Sequence, residues 1–217
     1  MTVIRIATLC AASVLLSGCV SLLPESEPTT LYRLDTAGLA SDTPGSAAIP
    51  VLVRRIGAPR GLAGDRIAIQ RGDAIAYMAG ARWISPAPQL VESAILDALY
   101  ADAPLLDPAR PEDGVNARYE LDLELRRFEA RYDQGEGAAP LVTARVRARL
   151  IDRDTRGLVA ARTIEAEERA GENRQGAIVA AFGVVSERAG RELANWTQGA
   201  ICDDDDAPEA CGQGQEP

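Results

Sequence analysis

Lysine and histidine are absent from the chain, so all 23 of its basic side chains are arginine. Without histidine, Ser-His-Asp and Cys-His nucleophile pairs and His-ligated zinc are excluded; without lysine, a Schiff base is too. Aromatic residues make up only 4% of the chain, so a large aromatic-lined pocket is not expected. Cysteine is scarce, and two of the four lie near the N-terminus, which leaves no four-cysteine zinc set. Any catalysis would fall to carboxylates, hydroxyls or arginine, and no cofactor is implied. Acidic side chains number 32, for a net charge of −9, and no basic run interrupts them. Nucleic acid, whose phosphates demand clustered basic side chains, is therefore not an expected partner.

What is present is ordinary for one globular domain: 47% apolar residues, 25% charged, 217 in all. The N-terminus departs from that composition. Arg5 supplies a short positive region, and 6–16 is an apolar stretch of about ten residues, as in a secretory signal. A membrane-spanning helix needs about 20 apolar residues, and no segment of the chain reaches that length. The stretch ends Leu16-Ser17-Gly18-Cys19, the pattern of a bacterial lipobox. Small residues admit the peptidase, and the Cys19 thiol becomes the thioether to a diacylglyceryl group. The reading is a signal peptide over 1–18, then lipidated Cys19 and a Pro/Ser/Glu-rich tether to 29. Two or more acyl chains, at about 0.8 kcal/mol per buried CH₂, anchor a protein stably without spanning the bilayer. Val20 stands where an aspartate would signal inner-membrane retention, so the expected location is the periplasmic face of the outer membrane.

At the other end, Cys202 and Cys211 bracket a run of four aspartates. An oxidising periplasm predicts a disulfide between them, closing a small loop in an acidic tail over 200–217. The aspartates lack the spacing of a calcium loop and read as a solvated tail. Residues 202–217 hold six acids and no arginine, so the body between 30 and 199 is nearly charge-balanced.

Within that body, strands are predicted at 30–35, at Val51 and Val53, at Ile67 and Ile69, and at 74–78 after a Gly72-Asp73 turn. Ser85-Pro86 opens a helix whose Val91, Ala94, Ile95, Ala98 and Leu99 share one face. Residues 104–114 read as a connector. Tyr119, Leu121, Leu123 and Leu125 alternate with charged residues; the parity then flips to Phe128, Ala130 and Tyr132, which requires a bulge near Arg126-Arg127. Val142 to Leu150 and 158–167 continue the sheet. A last helix carries Ile178, Phe182, Val185, Ala189, Leu193 and Trp196 at three- and four-residue steps. Four strands, a helix, three strands and a helix predict a single α+β domain: a mixed, mostly antiparallel sheet with two amphipathic helices packed on it.

Arg145, Arg147 and Arg149 alternate along one strand and face the row Glu120, Asp122 and Glu124. They read as the solvated side of a sheet with cross-strand pairs; the alternative is an anion- or partner-binding face. Glu165, Glu167 and Glu168 lack the aromatic cleft of a glycosidase. Gly61 and Gly64 do not form a phosphate loop. Trp83 and Trp196 read as core anchors.

Three segments in order resemble the ABC-type transport auxiliary lipoprotein family, the group of the paraquat-inducible lipoproteins. They are Tyr32-Arg33-Leu34 after the tether, PRGLAGDRIAIQR over 59–71, and Arg82-Trp83-Ile84-Ser85-Pro86 before a helix. The resemblance implies a non-catalytic periplasmic partner of an intermembrane lipid transport system. In such systems an inner-membrane ABC transporter carries an MCE (mammalian cell entry) protein, which this chain would dock. A homo-oligomer is compatible with that role. The expected partner-facing region is the exposed sheet edge, the 59–65 loop and Trp83, with Arg60, Leu62 and Trp83 as contact residues. The rival readings are a regulator of peptidoglycan synthesis or envelope assembly, a carboxylate hydrolase, and a direct lipid carrier.

Overall fold

A computed structural model describes residues 28–35 and 48–212. Cys19 and the 1–18 segment lie outside the described residues. The organising element is β6 (Tyr119–Arg131), whose alternation puts Tyr119, Leu121, Leu123 and Leu125 on one buried face. A bulge at Arg126, between Leu125 and Arg127, shifts the register against the next strand. Phe128 and Ala130 thereby return to the same buried face. Antiparallel β7 (Leu141–Asp152) runs the full length of β6, and antiparallel β8 (Gly157–Arg169) runs beside β7.

The other side of β6 is shared. Its first residues pair in parallel with β2 (Ile49–Val53), and its last with β3 (Arg66–Arg71). Gly57 bridges to Glu124 between them. Beyond β3 come antiparallel β4 (Ala74–Trp83) and parallel β1 (Thr30–Tyr32). Beyond β2 comes β5 (Leu106–Ala109), a short parallel strand inside the stretch predicted to be a connector. Pro108 and the four-residue length hid it; proline is tolerated there because β5 is an edge strand. Among the described residues the result is an eight-stranded mixed sheet in one α+β domain, with its long strands antiparallel.

Both helices cover one face of that sheet. In α1 (Ala87–Asp102) the predicted apolar face is buried, but Ser85 provides no hydroxyl cap; Pro86 holds that position and Pro88 sits in the first turn. In α2 (Gln175–Cys202), Ile178, Phe182, Val185, Ala189 and Leu193 are buried and Trp196 is half-buried. Gly190 lets the helices meet closely: a Cβ there would stand 3.0 Å from the Ala98 Cβ and 3.2 Å from the Ala94 carbonyl oxygen. No helix among the described residues is long and apolar enough to cross a membrane.

Candidate docking edge

The three predicted contact residues part company. Trp83 is 1% exposed, because alternation along β4 points it under α2. There it meets Phe182 edge-on at 5.2 Å and Phe128 at 5.8 Å. Leu62 is 8% exposed, tucked into the core while the loop backbone around it is pinned. Its N–H donates to the Pro59 carbonyl at 2.8 Å, and the Tyr77 hydroxyl donates to the Gly61 carbonyl at 3.1 Å. Neither Trp83 nor Leu62 presents a surface to a partner, which overturns the expectation for both. Arg60 alone of the three is exposed, on the side of β6 away from β8.

A long exposed edge lies at β8, on the other side of β6 from the 59–65 loop. This strand has 13 residues and, among the described residues, pairs only with β7. Its outward backbone groups can be identified, since Arg188 of α2 donates to the Glu167 carbonyl at 2.8 Å from outside the sheet. The two-residue period then turns the N–H and C=O of Glu165, Thr163 and Ala161 outward as well. Exposed edges attract other strands unless charges guard them. The C-terminal half is guarded by Glu165, Glu167, Glu168 and the 3.1 Å Arg188–Glu168 pair. The half from Leu158 to Ala161 carries no charge, and Leu158 is 56% exposed. Arg162, between the halves, pairs with Glu192 of α2 at 2.8 Å. Beside it a groove of about 510 Å³ is lined by Arg188, Arg191, Asn195 and Trp196.

On the open face, pairing follows the register only in part. Asp122 faces Arg149, with charges 3.7 Å apart. Arg145 turns to Glu165 on β8 at 2.6 Å, and Glu124 is taken by Arg126 at 2.6 Å. Glu120 is shared by Arg54 and Arg153. The bulge also sets Arg127 directly opposite Arg145. Arg126, Arg145, Arg147, Ala161, Arg162 and Thr163 line one concavity of about 460 Å³, with the Arg162 guanidinium turned away to Glu192 of α2. Glu129 is buried on the same face; desolvation pushes its carboxyl above the usual range, against the pull of Arg127, Arg131 and Arg145. Among the described residues no cluster of Cys, Asp or Glu is arranged to hold a metal ion.

The described part of the acidic tail, up to residue 212, is not free. Cys202 and Cys211 form a disulfide, and the loop between them folds back onto the start of β6. There the Tyr119 hydroxyl donates to Asp204 at 2.9 Å, and Arg118 donates to the Asp206 carbonyl at 2.8 Å. The aspartates predicted to be solvated are thus partly spent on Arg118 and Tyr119. Sequence reasoning missed this clasp; the only local signal was an Arg-Tyr pair opening an alternating strand.

Residues 32–194 match the sequence pattern of the ABC-type transport auxiliary lipoprotein component. The chain belongs to this family. Members are described as auxiliary components of ABC transport, which implies a transporter partner and a membrane-associated lipoprotein, and describes no enzyme. The auxiliary-component fold is also that of a Xanthomonas campestris crystal structure, 24% identical with a TM-score of 0.67, covering 79% of this chain and 96% of that one. A second crystal structure, 17% identical with a TM-score of 0.63, covers 79% of this chain and 99% of its own. An uncharacterized protein of Bradyrhizobium diazoefficiens is 31% identical over 119 residues, 55% of this auxiliary component and 31% of that protein. The match therefore spans about a third of that relative's length.

Proposed function

We propose that this auxiliary component docks the periplasmic MCE-type subunit of an inner-membrane ABC transporter while anchored through lipidated Cys19 to the outer membrane. The observation that carries the docking reading is the outer edge of β8, which meets no second strand among the described residues and is uncharged from Leu158 to Ala161. An extended segment of the partner adds to that edge through main-chain hydrogen bonds, the mode available wherever a sheet edge is left open. Arg162 and the groove beside Trp196 flank the added strand and select its side chains. The reading asks for no chemistry, which agrees with a chain lacking histidine and lysine.

The test is capture of the MCE subunit by the full chain and by Ala161→Pro. Proline removes an outward N–H, leaves the β7 ladder intact and is tolerated on an edge. The variant is expected to fold with an unchanged circular dichroism spectrum and to lose capture at least tenfold. Undiminished capture by folded Ala161→Pro overturns edge docking. Its loss in Arg60→Ala instead would move the contact to the 59–65 loop. Lipidation is tested separately: Cys19→Ser is expected to release the protein from membranes, and its continued membrane association would refute the anchor.

A further inference from the structure

We infer that the strand added to the β8 edge carries an arginine or lysine side chain, held between the face of Trp196 and the carboxylates of Asp203 and Asp205. This rests on the docking reading and says what the docked segment of the partner must carry.

The surface begins at the end of β8 that no charge guards. Pairing with β7 slips by one residue there, between Leu150 and Ile151, and leaves Val159 as the extra residue. The slip turns two consecutive side chains, Val159 and Ala160, to α2, while Leu158 pairs with Ile151 on the other face and is exposed. Across from Val159 and Ala160 stand Trp196 of α2 and the aspartates Asp203 to Asp205. The concavity between them is about 610 Å³ and shares Arg162 and Trp196 with the groove farther along α2. A strand added outside β8 alternates as β8 does, so every second side chain enters this space and those between lie beside Leu158.

Charge decides which side chain enters. Each guanidinium along the two concavities is neutralised: Arg162 by Glu192, Arg188 by Glu168, and Arg191 by Asp102 and Glu187. Asp204 accepts from Tyr119 and pairs with Arg118, which also takes Asp206. Asp203 and Asp205 alternate with those two, are exposed, and make no ion pair among the described residues. The helix adds to their charge. Its 28 residues end with no basic side chain in the last turn, and Asp203 is the C-cap, at the negative pole of the helix dipole. Cations are favoured at that pole, yet the chain places aspartate there. The Cys202–Cys211 disulfide and the bond from Arg118 to the Asp206 carbonyl hold the loop, so a cation arriving there orders little new.

Trp196 is the third element. Half-buried, it lines both concavities and sets an aromatic ring beside the open strand. The stem of an arginine or lysine packs on such a ring while its charged end reaches outward, and the ring face attracts the cation itself. The edge fixes where the side chain enters, the ring receives its stem and the carboxylates receive its charge. A leucine satisfies the edge and the ring alone, and a glutamate is repelled.

The experiment is calorimetric titration of the full-length protein in detergent with three acetylated peptides of alternating threonine and valine. They differ only at one central position, which is arginine, leucine or glutamate. The test variant combines Asp203→Asn with Asp205→Asn, and Glu209→Gln, an exposed acid of the same loop outside the groove, is the control. Circular dichroism checks that each variant is folded. Wild type and control are expected to bind the arginine peptide at least about tenfold more tightly than the leucine peptide, and the glutamate peptide most weakly. In the double variant the preference for arginine over leucine is expected to fall below about threefold. Ala161→Pro is expected to weaken all three peptides alike. Equal binding of arginine and leucine peptides by wild type, binding of none, or a preference that survives loss of both carboxylates overturns the proposal. Capture of the MCE subunit separates the two readings. Capture lost in Ala161→Pro but undiminished in the double aspartate variant leaves edge docking standing and overturns the basic side chain. Undiminished capture by Ala161→Pro overturns docking itself.

Discussion

The hydroxyl of Tyr119 donates a 2.9 Å hydrogen bond to Oδ2 of Asp204, joining positions 85 residues apart. Tyr119 opens the central strand β6, and Asp204 lies just past the end of α2. Arg118 reinforces the junction, reaching Asp152 at 2.8 Å and the Asp206 carbonyl at 2.8 Å. The disulfide-closed loop is therefore tied to the sheet, and the stability of one is felt by the other.

Tyr119→Phe tests that clasp. A hydrogen bond to a charged partner contributes about 1.5–3 kcal/mol, and a half-screened one like this is expected near the lower bound. Urea unfolding should show the loss, and hydrogen exchange over 203–211 should quicken. Burial, followed by the bond to Asp204, pushes the Tyr119 phenol up to about 12. Because the folded value is raised above 10.0, the contribution is complete below pH 10 and is lost as pH rises towards 12. Wild type and Tyr119→Phe should thus converge in stability at strongly alkaline pH, and ultraviolet titration should show one late-ionising tyrosine that the variant lacks.

Asp152 governs the acid limb. Its Oδ1 accepts the backbone N–H of Asp154 and Thr155, and its Oδ2 accepts from Arg118. The backbone bond from Thr155, then Arg118, holds its carboxyl below the usual 3.8. A depressed carboxylate contributes stability above its unfolded value and loses it as pH falls through the folded one. Asp152→Asn should therefore be less stable than wild type at pH 6, with the difference shrinking below pH 3.8. A difference independent of pH would show that the charge is not what matters.

Gly183 marks where the segment after β1 presses on α2. A Cβ there would stand 2.5 Å from the Asp35 carbonyl oxygen. Alanine is the better helix former by about 1 kcal/mol. Backbone cannot yield as a flexible side chain does, so Gly183→Ala should destabilise by about 1–3 kcal/mol, as overpacked cores do. Gly199→Ala, with nothing within 4 Å, should stabilise by about 0.5–1 kcal/mol. Thermal melts of the pair check both signs.

The α+β class, the parity flip at Arg126-Arg127 and both helix faces were legible in the chain, because period-2 and period-3.6 burial write themselves directly into residue order, and the family was legible in the three segments at 32–34, 59–71 and 82–86. Trp83 was legible as a core anchor; placing it in a partner-facing region rested on the 59–65 loop's lack of a core pattern, which does not govern alternation along β4. Other features exist only in three dimensions. Whether Arg147 finds a carboxylate depends on register across two strand pairs, and on Arg126 taking Glu124 first. Which strand is left as the long open edge depends on the order in which β1 to β5 divide the other side of β6. The missing lysine and histidine excluded whole classes of chemistry from the sequence alone. The arginines' partners were decided by folding, since which carboxylate each one meets depends on the bulge and on the two strand registers.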